Sequence, residues 1–215
     1  MEIEAKFAIP DAAVFHALQA PTRLGPFSLT NAHIRHVHDT YLDTPDRMLY
    51  QSGYGFRHRE QEGGWLMTLK QIGGVEGALR RREELELALP EACPPAAWPP
   101  SPLRSRVLEL IGEQVVRPLF TLDQTRIVRN VTAQERDIVE LSLDEVHLTA
   151  PQRVEIFFTL EAELLPAGTE AELHTLIDLV QREWGLEPEQ ESKLARAATF
   201  FGLDMSDLPP CHQGI

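Results

Sequence analysis

Alternation of apolar and polar residues recurs along most of the chain and sets the first expectations. Residues 2–8, EIEAKFA, place Glu2, Glu4 and Lys6 on one face of an extended strand and Ile3, Ala5 and Phe7 on the other. Successive side chains of a strand point to opposite faces. The same two-residue period predicts strands at 33–43, 54–60, 65–71, 81–89, 117–130, 136–147 and 153–164, with Gly63-Gly64 turning the third into the fourth. Helices are predicted where the period lengthens. A short one opens at Asp11 and closes before Pro21. One at 101–114 has Ser101 as N-cap and Pro102 at its first position. One at 169–185 carries Thr169 and Glu172 at capping-box spacing and ends at Gly185. A last one spans about 189–201. Eight strands with no βαβ rhythm predict an α+β protein, a closed eight-stranded antiparallel β-barrel with helices packed outside. The proline-rich stretch 90–102 reads as a connection inside one domain over 1–203, and 204–215 as a loose tail.

Composition changes this picture little, and charge changes it more. The chain has 215 residues, 43% hydrophobic and 25% charged, enough for a real core. A formal net charge of −13 argues against a duplex nucleic acid or a membrane surface as partner, since both are polyanions. It leaves room for a small anion in a local basic pocket. No apolar run approaches a membrane span and the N-terminus lacks the apolar core of a secretory signal, so a cytoplasmic protein is expected. Cys93 and Cys211 lie far apart and form no metal-ligand spacing. His33, His36, His38 and His58 suit no compact site and read as ordinary strand residues, and Arg80 and Arg81 as residues outside or in a loop.

The polar faces of the strands are unusual. Arg57 and Arg59 share a face, as do Thr68 and Lys70; Arg82, Glu84 and Glu86; Gln124 and Arg126; Glu140, Ser142 and Asp144; and Glu161 and Glu163. A solvated sheet face usually mixes signs. Here acids gather on the first, seventh and eighth strands and bases on the third and fourth. A barrel with a charged lumen explains the sorting: carboxylates for a hard cation, Arg and Lys for a polyanion.

The ordered set of motifs resembles the CYTH domain, the triphosphate tunnel metalloenzymes. It comprises E-x-E-x-K at Glu2, Glu4 and Lys6, YLDTPD at 41–46, R-x-R at Arg57 and Arg59, TLK ending at Lys70, and R-x-E-x-E at Arg82, Glu84 and Glu86. Arg126, Asp144, E-x-E at Glu161 and Glu163, and SKLAR at 192–196 complete it, spanning roughly 1–202. The resemblance implies a tunnel that binds a linear triphosphate with Mg²⁺ or Mn²⁺. It implies Glu2, Glu4, Asp144, Glu161 and Glu163 as metal ligands, one ion at the first pair and a second nearer the last three. It implies Lys6, Arg57, Arg59, Lys70, Arg82, Arg126, Lys193 and Arg196 as phosphate ligands. Glu161, Glu163 and Lys6 become the catalytic residues, and Glu84 and Glu86 inner-wall support. The stretches 39–59, 73–84, 117–120 and 192–196 look most like the inorganic triphosphatase branch, which hydrolyses tripolyphosphate to pyrophosphate and phosphate. Members of that branch often carry a second, helical, histidine-rich polyphosphate-binding domain after the tunnel, and none is expected within these 215 residues. The alternatives are a class IV adenylyl cyclase, a thiamine triphosphatase and a non-catalytic polyphosphate or nucleotide binder. Tyr41, Tyr54 and Trp65 are the aromatics available to stack on an organic group.

Overall fold

The computed structural model describes residues 1–61 and 63–203. In chain order the elements are β1 (Glu2–Ile9), α1 (Ala12–Ala17), β2 (Arg23–Leu24), β3 (Phe27–Leu29), β4 (His33–Asp43), α2 (Met48–Gln51), β5 (Tyr54–Gln61), β6 (Gly64–Gln71), β7 (Val75–Glu76), β8 (Leu79–Arg82) and β9 (Glu84–Leu89). A 3-10 turn at Pro95–Ala97 follows, then α3 (Pro102–Ile111), β10 (Arg117–Ala133), β11 (Arg136–Ala150), β12 (Arg153–Leu164), α4 (Glu170–Trp184), β13 (Glu187–Pro188) and α5 (Lys193–Phe200). The fold is α+β, one mostly antiparallel sheet with helices packed on it. No described helix is long and apolar enough to cross a membrane. The expected loose tail at 204–215 and Cys211 lie outside the described residues.

Every long strand predicted from alternation is present, but the closed eight-stranded barrel is not what the hydrogen bonds draw. The sheet has thirteen strands, and its main path runs β7-β8-β1-β12-β11-β10-β4-β5-β6-β9, open at both ends. The predicted strand 81–89 is two pieces. β8 pairs with β1, setting Glu2 opposite Arg82 and Glu4 opposite Arg80. β9 pairs with β6, setting Lys70 opposite Glu84 and Thr68 opposite Glu86. Only Glu83 separates them, and its carbonyl accepts the Gln71 N–H at 2.9 Å. The far flanks of the path are therefore one residue apart in the chain. The hairpin also differs by one residue: Gln61 pairs with Gly64, so Gly64 belongs to the strand. A side chain there would meet the Leu89 carbonyl oxygen at 2.2 Å, and φ is +143°, so glycine is required.

The helices bury the sheet's outer face. Ser101 caps α3, accepting from Arg104 N–H, and Leu103, Val107 and Ile111 join Phe56, Leu69 and Trp98 in one cluster. The full capping box of Thr169 and Glu172 opens α4, and Gly185 ends it in the left-handed region. Its stripe of Leu173, Leu176, Ile177 and Val180 packs with Phe7, Leu143 and Leu160, each fully buried leucine stabilising by about 1.5–3 kcal/mol. The YLDTPD segment is structural: Asp43 is buried and its carboxylate accepts from Thr44, Leu49 and Tyr50 N–H groups at 2.7, 3.0 and 2.9 Å. It thereby anchors the short helix α2, which alternation does not reveal.

Candidate active site

The polar faces converge on one cavity of about 830 Å³. Glu2, Glu4 and Lys6 enter from β1, Arg57 and Arg59 from β5, and Thr68 and Lys70 from β6. Arg80 and Arg82 enter from β8, Glu84 and Glu86 from β9, Arg126 from β10, and Glu161 and Glu163 from β12. The apolar faces of the same strands point to the helices, so the two-residue period builds wall and core together.

Burial is uneven around the cavity. Arg35, Glu86 and Glu163 are exposed, and Glu140 is half-buried. Thr159, Asp144, Asp39, Arg80 and Lys6 are at most 4% exposed. The most exposed lining residues are thus mostly carboxylates, while the buried floor interleaves the acids Glu4, Asp39 and Asp144 with the cations Lys6, Arg80, Arg82 and Lys193. Ser192 caps α5, accepting from Ala195 N–H at 3.0 Å, which sets Lys193 at the first helical position and over the floor.

Two buried aspartates organise the floor. Asp39 accepts two bonds from Arg59, at 2.8 and 2.9 Å, one from Arg57 at 3.2 Å and one from Gln124 at 2.9 Å. Burial opposes its ionisation, but Arg57 and Arg59 outweigh burial and hold its pKa at about 2. Asp144 is inaccessible. It accepts two 2.7 Å bonds from Arg126 and one of 2.5 Å from Lys193. Those cations overcome burial and lower its pKa. Glu161 contacts Arg126 at 2.6 Å, Lys193 at 3.1 Å and Lys6 at 3.8 Å. Against the cost of burial, Lys193, Arg126 and Lys6 hold it well below the carboxylate range. Burial lowers Lys6 itself to about 8, against the pull of Glu161.

The other carboxylates are in surplus. Lys70 Nζ serves Glu2 at 2.5 Å, Glu84 at 3.2 Å and Glu4 at 3.7 Å. One ammonium cannot aim its hydrogens well at all three, and the Oε2 atoms of Glu2 and Glu84 are buried without a well-formed hydrogen bond. Glu4 is also paired with Arg82. Burial, and next the Glu4 charge, push Glu2 up to about 8. Partial loss of water and the Glu84 charge raise Glu163, which stands opposite Glu4 in the ladder.

Seven of the eight expected phosphate ligands line this cavity; Arg196 does not. Its Nε bonds Glu155 Oε1 at 2.6 Å and its guanidinium lies 4.1 Å from the Phe157 ring centre, so only the first turn of α5 reaches inside. The expected metal ligands Glu2, Glu4, Glu161 and Glu163 line the cavity and Asp144 lies beneath it, yet no three acidic, His or Cys residues among the described ones gather into a metal-holding group. Both oxygens of Asp144 are spent on Arg126 and Lys193. Arg80, expected outside or in a loop, is 2% exposed and lines the wall. Its parity with Arg82, Glu84 and Glu86 was the signal for it. Arg81 is the outward one, pairing with Glu170 at 2.6 Å. Asp39 and Arg35 were also missed, and share a parity with Tyr41. Of the three aromatics, only Tyr41 lines the cavity. Tyr54 bonds Glu83 at 2.7 Å, and Trp65 packs on His58.

The profile of the CYTH domain matches residues 1–198. Among solved structures, the chain is similar to a candidate adenylyl cyclase from Hippeastrum, HpAC1, described as having a dominant triphosphatase activity. The TM-score is 0.71 at 20% identity, covering 93% of this chain and 96% of that one. It is also similar to a candidate adenylate cyclase from Bacillus halodurans, with a TM-score of 0.63 at 21% identity, covering 91% and 96%. At such identities the likeness is one of fold.

Proposed function

The chain belongs to the CYTH domain family, and from that premise we propose that it is a metal-dependent hydrolase that splits inorganic tripolyphosphate into pyrophosphate and phosphate. The observation that carries the reading is the convergence of Lys6, Arg57, Arg59, Lys70, Arg80, Arg82, Arg126 and Lys193 on one cavity. A linear triphosphate is the compact anion whose charge needs such a set. The described aromatics favour an inorganic substrate over a nucleotide or thiamine ester. Tyr41 is buried and packs on Phe120, with ring centres 5.1 Å apart. Counting 79–89 as one strand interrupted at Glu83, eight long strands would form a tunnel wall closed by the chain itself.

The carboxylate surplus fits a divalent cation. Glu2, Glu4 and Glu163 offer hard oxygen donors with too few cations to satisfy them, and Mg²⁺ or Mn²⁺ suits such donors together with phosphate oxygens. When bound, the ion would neutralise phosphate charge and acidify water. The chain's own residues do the rest. Lys6, Arg126 and Lys193 bind the phosphoryl group to be transferred, the last two held in place by Asp144. Glu161, set among those three cations, orients the attacking water, whose proton passes to a phosphate oxygen. Lys6, still charged at neutral pH with a pKa of about 8, donates to the leaving oxygen as the P–O bond breaks in line.

The test is phosphate release from tripolyphosphate, thiamine triphosphate and ATP with Mg²⁺, Mn²⁺ or EDTA, with cyclic AMP measured in parallel. Metal-dependent release from tripolyphosphate is expected to dominate. Cyclic AMP without free phosphate would move the protein to the cyclase reading, and tight binding without turnover to the sensor reading. Glu161→Gln should lower kcat on the order of a hundredfold while weakening tripolyphosphate binding much less. Equal losses in both would sink the division between holding and reacting groups.

A further inference from the structure

The cavity's cations differ in one respect that the family motifs do not capture. Lys6, Arg57, Arg59, Lys70, Arg82, Arg126 and Lys193 each contact a carboxylate. Arg80 donates to the Glu189 carbonyl. Arg35 has no hydrogen bond, ion pair or ring contact among the described residues, though it lines the cavity and is exposed at the rim. It stands opposite Arg126 in the β4–β10 ladder, so its backbone is anchored beside the floor cluster while its guanidinium is free. The exposed or half-buried acids of the same cavity are Glu86, Glu140 and Glu163.

From this placement we propose that Arg35 is a specificity-determining residue that selects substrates whose outer end is a free phosphate. The inference rests on the hydrolase reading above. An anion that reaches a paired cation must first displace a carboxylate, whereas Arg35 offers its donors at no such cost. With the reacting phosphate on the cationic floor, the far end of a linear triphosphate comes to the rim. There, a terminal phosphate of tripolyphosphate carries one more ionisable oxygen than the esterified phosphate of ATP or thiamine triphosphate. In an acidic rim, that extra charge is tolerated only where a cation meets it. A guanidinium does so with two parallel donors.

The experiment compares Arg35→Ala and Arg35→Lys with wild type on tripolyphosphate and ATP, reading both kcat/KM and binding by calorimetry. Arg35→Ala is expected to weaken tripolyphosphate on the order of tenfold, the worth of one partly screened charge contact, and ATP less than twofold. Arg35→Lys should restore part of the difference. The side chain is exposed and unpaired, so folding is not at stake. An equal loss for both ligands would mean general attraction, and no loss for either would mean a bystander; each overturns the proposal. If wild type fails to turn over tripolyphosphate, the hydrolase reading falls, and the ratio of binding affinities still decides the role of Arg35.

Discussion

The floor and the rim of the cavity are built from the same residue types and solve opposite problems. On the floor, Asp39 and Asp144 each hold a pair of cations through short, well-aligned bonds, and both carboxyl pKa values fall. Around Lys70, Glu2, Glu4 and Glu84 compete for one ammonium; Glu2 rises, as does Glu163, while against the cost of burial Lys70 and Arg57 lower Glu84. A buried charge is tolerated when partnered and costly when not. The two aspartates of the floor are therefore neutralised as folded, while the carboxylates around Lys70 are neutralised only with something positive added. Preorganised cations next to under-neutralised carboxylates are what a substrate bearing both phosphate and metal requires.

The largest effect that would break this contrast is at the floor. Asp144→Ala removes one of the two carboxylates that Arg126 and Lys193 share, leaving Glu161 alone between them, and should destabilise the protein by about 3 kcal/mol in urea unfolding. Glu163→Gln at the rim should cost almost nothing, and similar losses for the two would erase the distinction. The rim gives a smaller effect of opposite sign. Glu2 holds a proton in the fold up to about pH 8, whereas unfolded it ionises near pH 4.5. Metal-free stability therefore falls as pH rises through that window. Glu2→Gln should remove the slope and be more stable than wild type at pH 8, on the order of 2 kcal/mol after solvent screening is discounted. A variant no more stable at pH 8 than at pH 4.5, relative to wild type, would show that Lys70 satisfies all three acids. The smallest effect sharpens the boundary of the site. Arg196→Ala should change kcat/KM for tripolyphosphate less than twofold and cost about 0.5–1 kcal/mol through its lost ring contact. A tenfold kinetic loss would bring Arg196 back among the phosphate ligands.

Parity along strands made most of this legible, because a two-residue period fixes which side chains share a face whatever the partner strand. It grouped Glu2, Glu4 and Lys6, Arg57 and Arg59, Arg82 with Glu84 and Glu86, and Glu161 and Glu163 on one face of their own strands; that these faces meet was expected from the barrel and the family resemblance. The same rule applied to RRR at 80–82 would have brought in Arg80. Asp39 escaped because Val37 and Tyr41, its same-face neighbours, are not charged. Pairing is what a sequence does not state: Asp144 reads as one more acid until Arg126 is seen opposite it. Arg196 failed for a related reason, since i,i+3 spacing says two residues share a helix face but not how far along the helix the cavity extends. The exchange of partners at Glu83 has no local pattern to announce it.

That exchange bears on how the protein behaves among copies of itself. An antiparallel sheet of long strands is a hazard when a flat edge stays unpaired, because exposed N–H and C=O groups template another chain. Here the longest strands, β4, β10, β11 and β12, are paired on both sides. The ends of the path fall to β7, two residues long, and to β9, six residues that carry Glu84 and Glu86 and pack against α3. By handing the chain from β1 to β6 across a single residue, Glu83 leaves almost no edge for a second molecule to extend. The acids that await a cation at the rim also act as gatekeepers against aggregation.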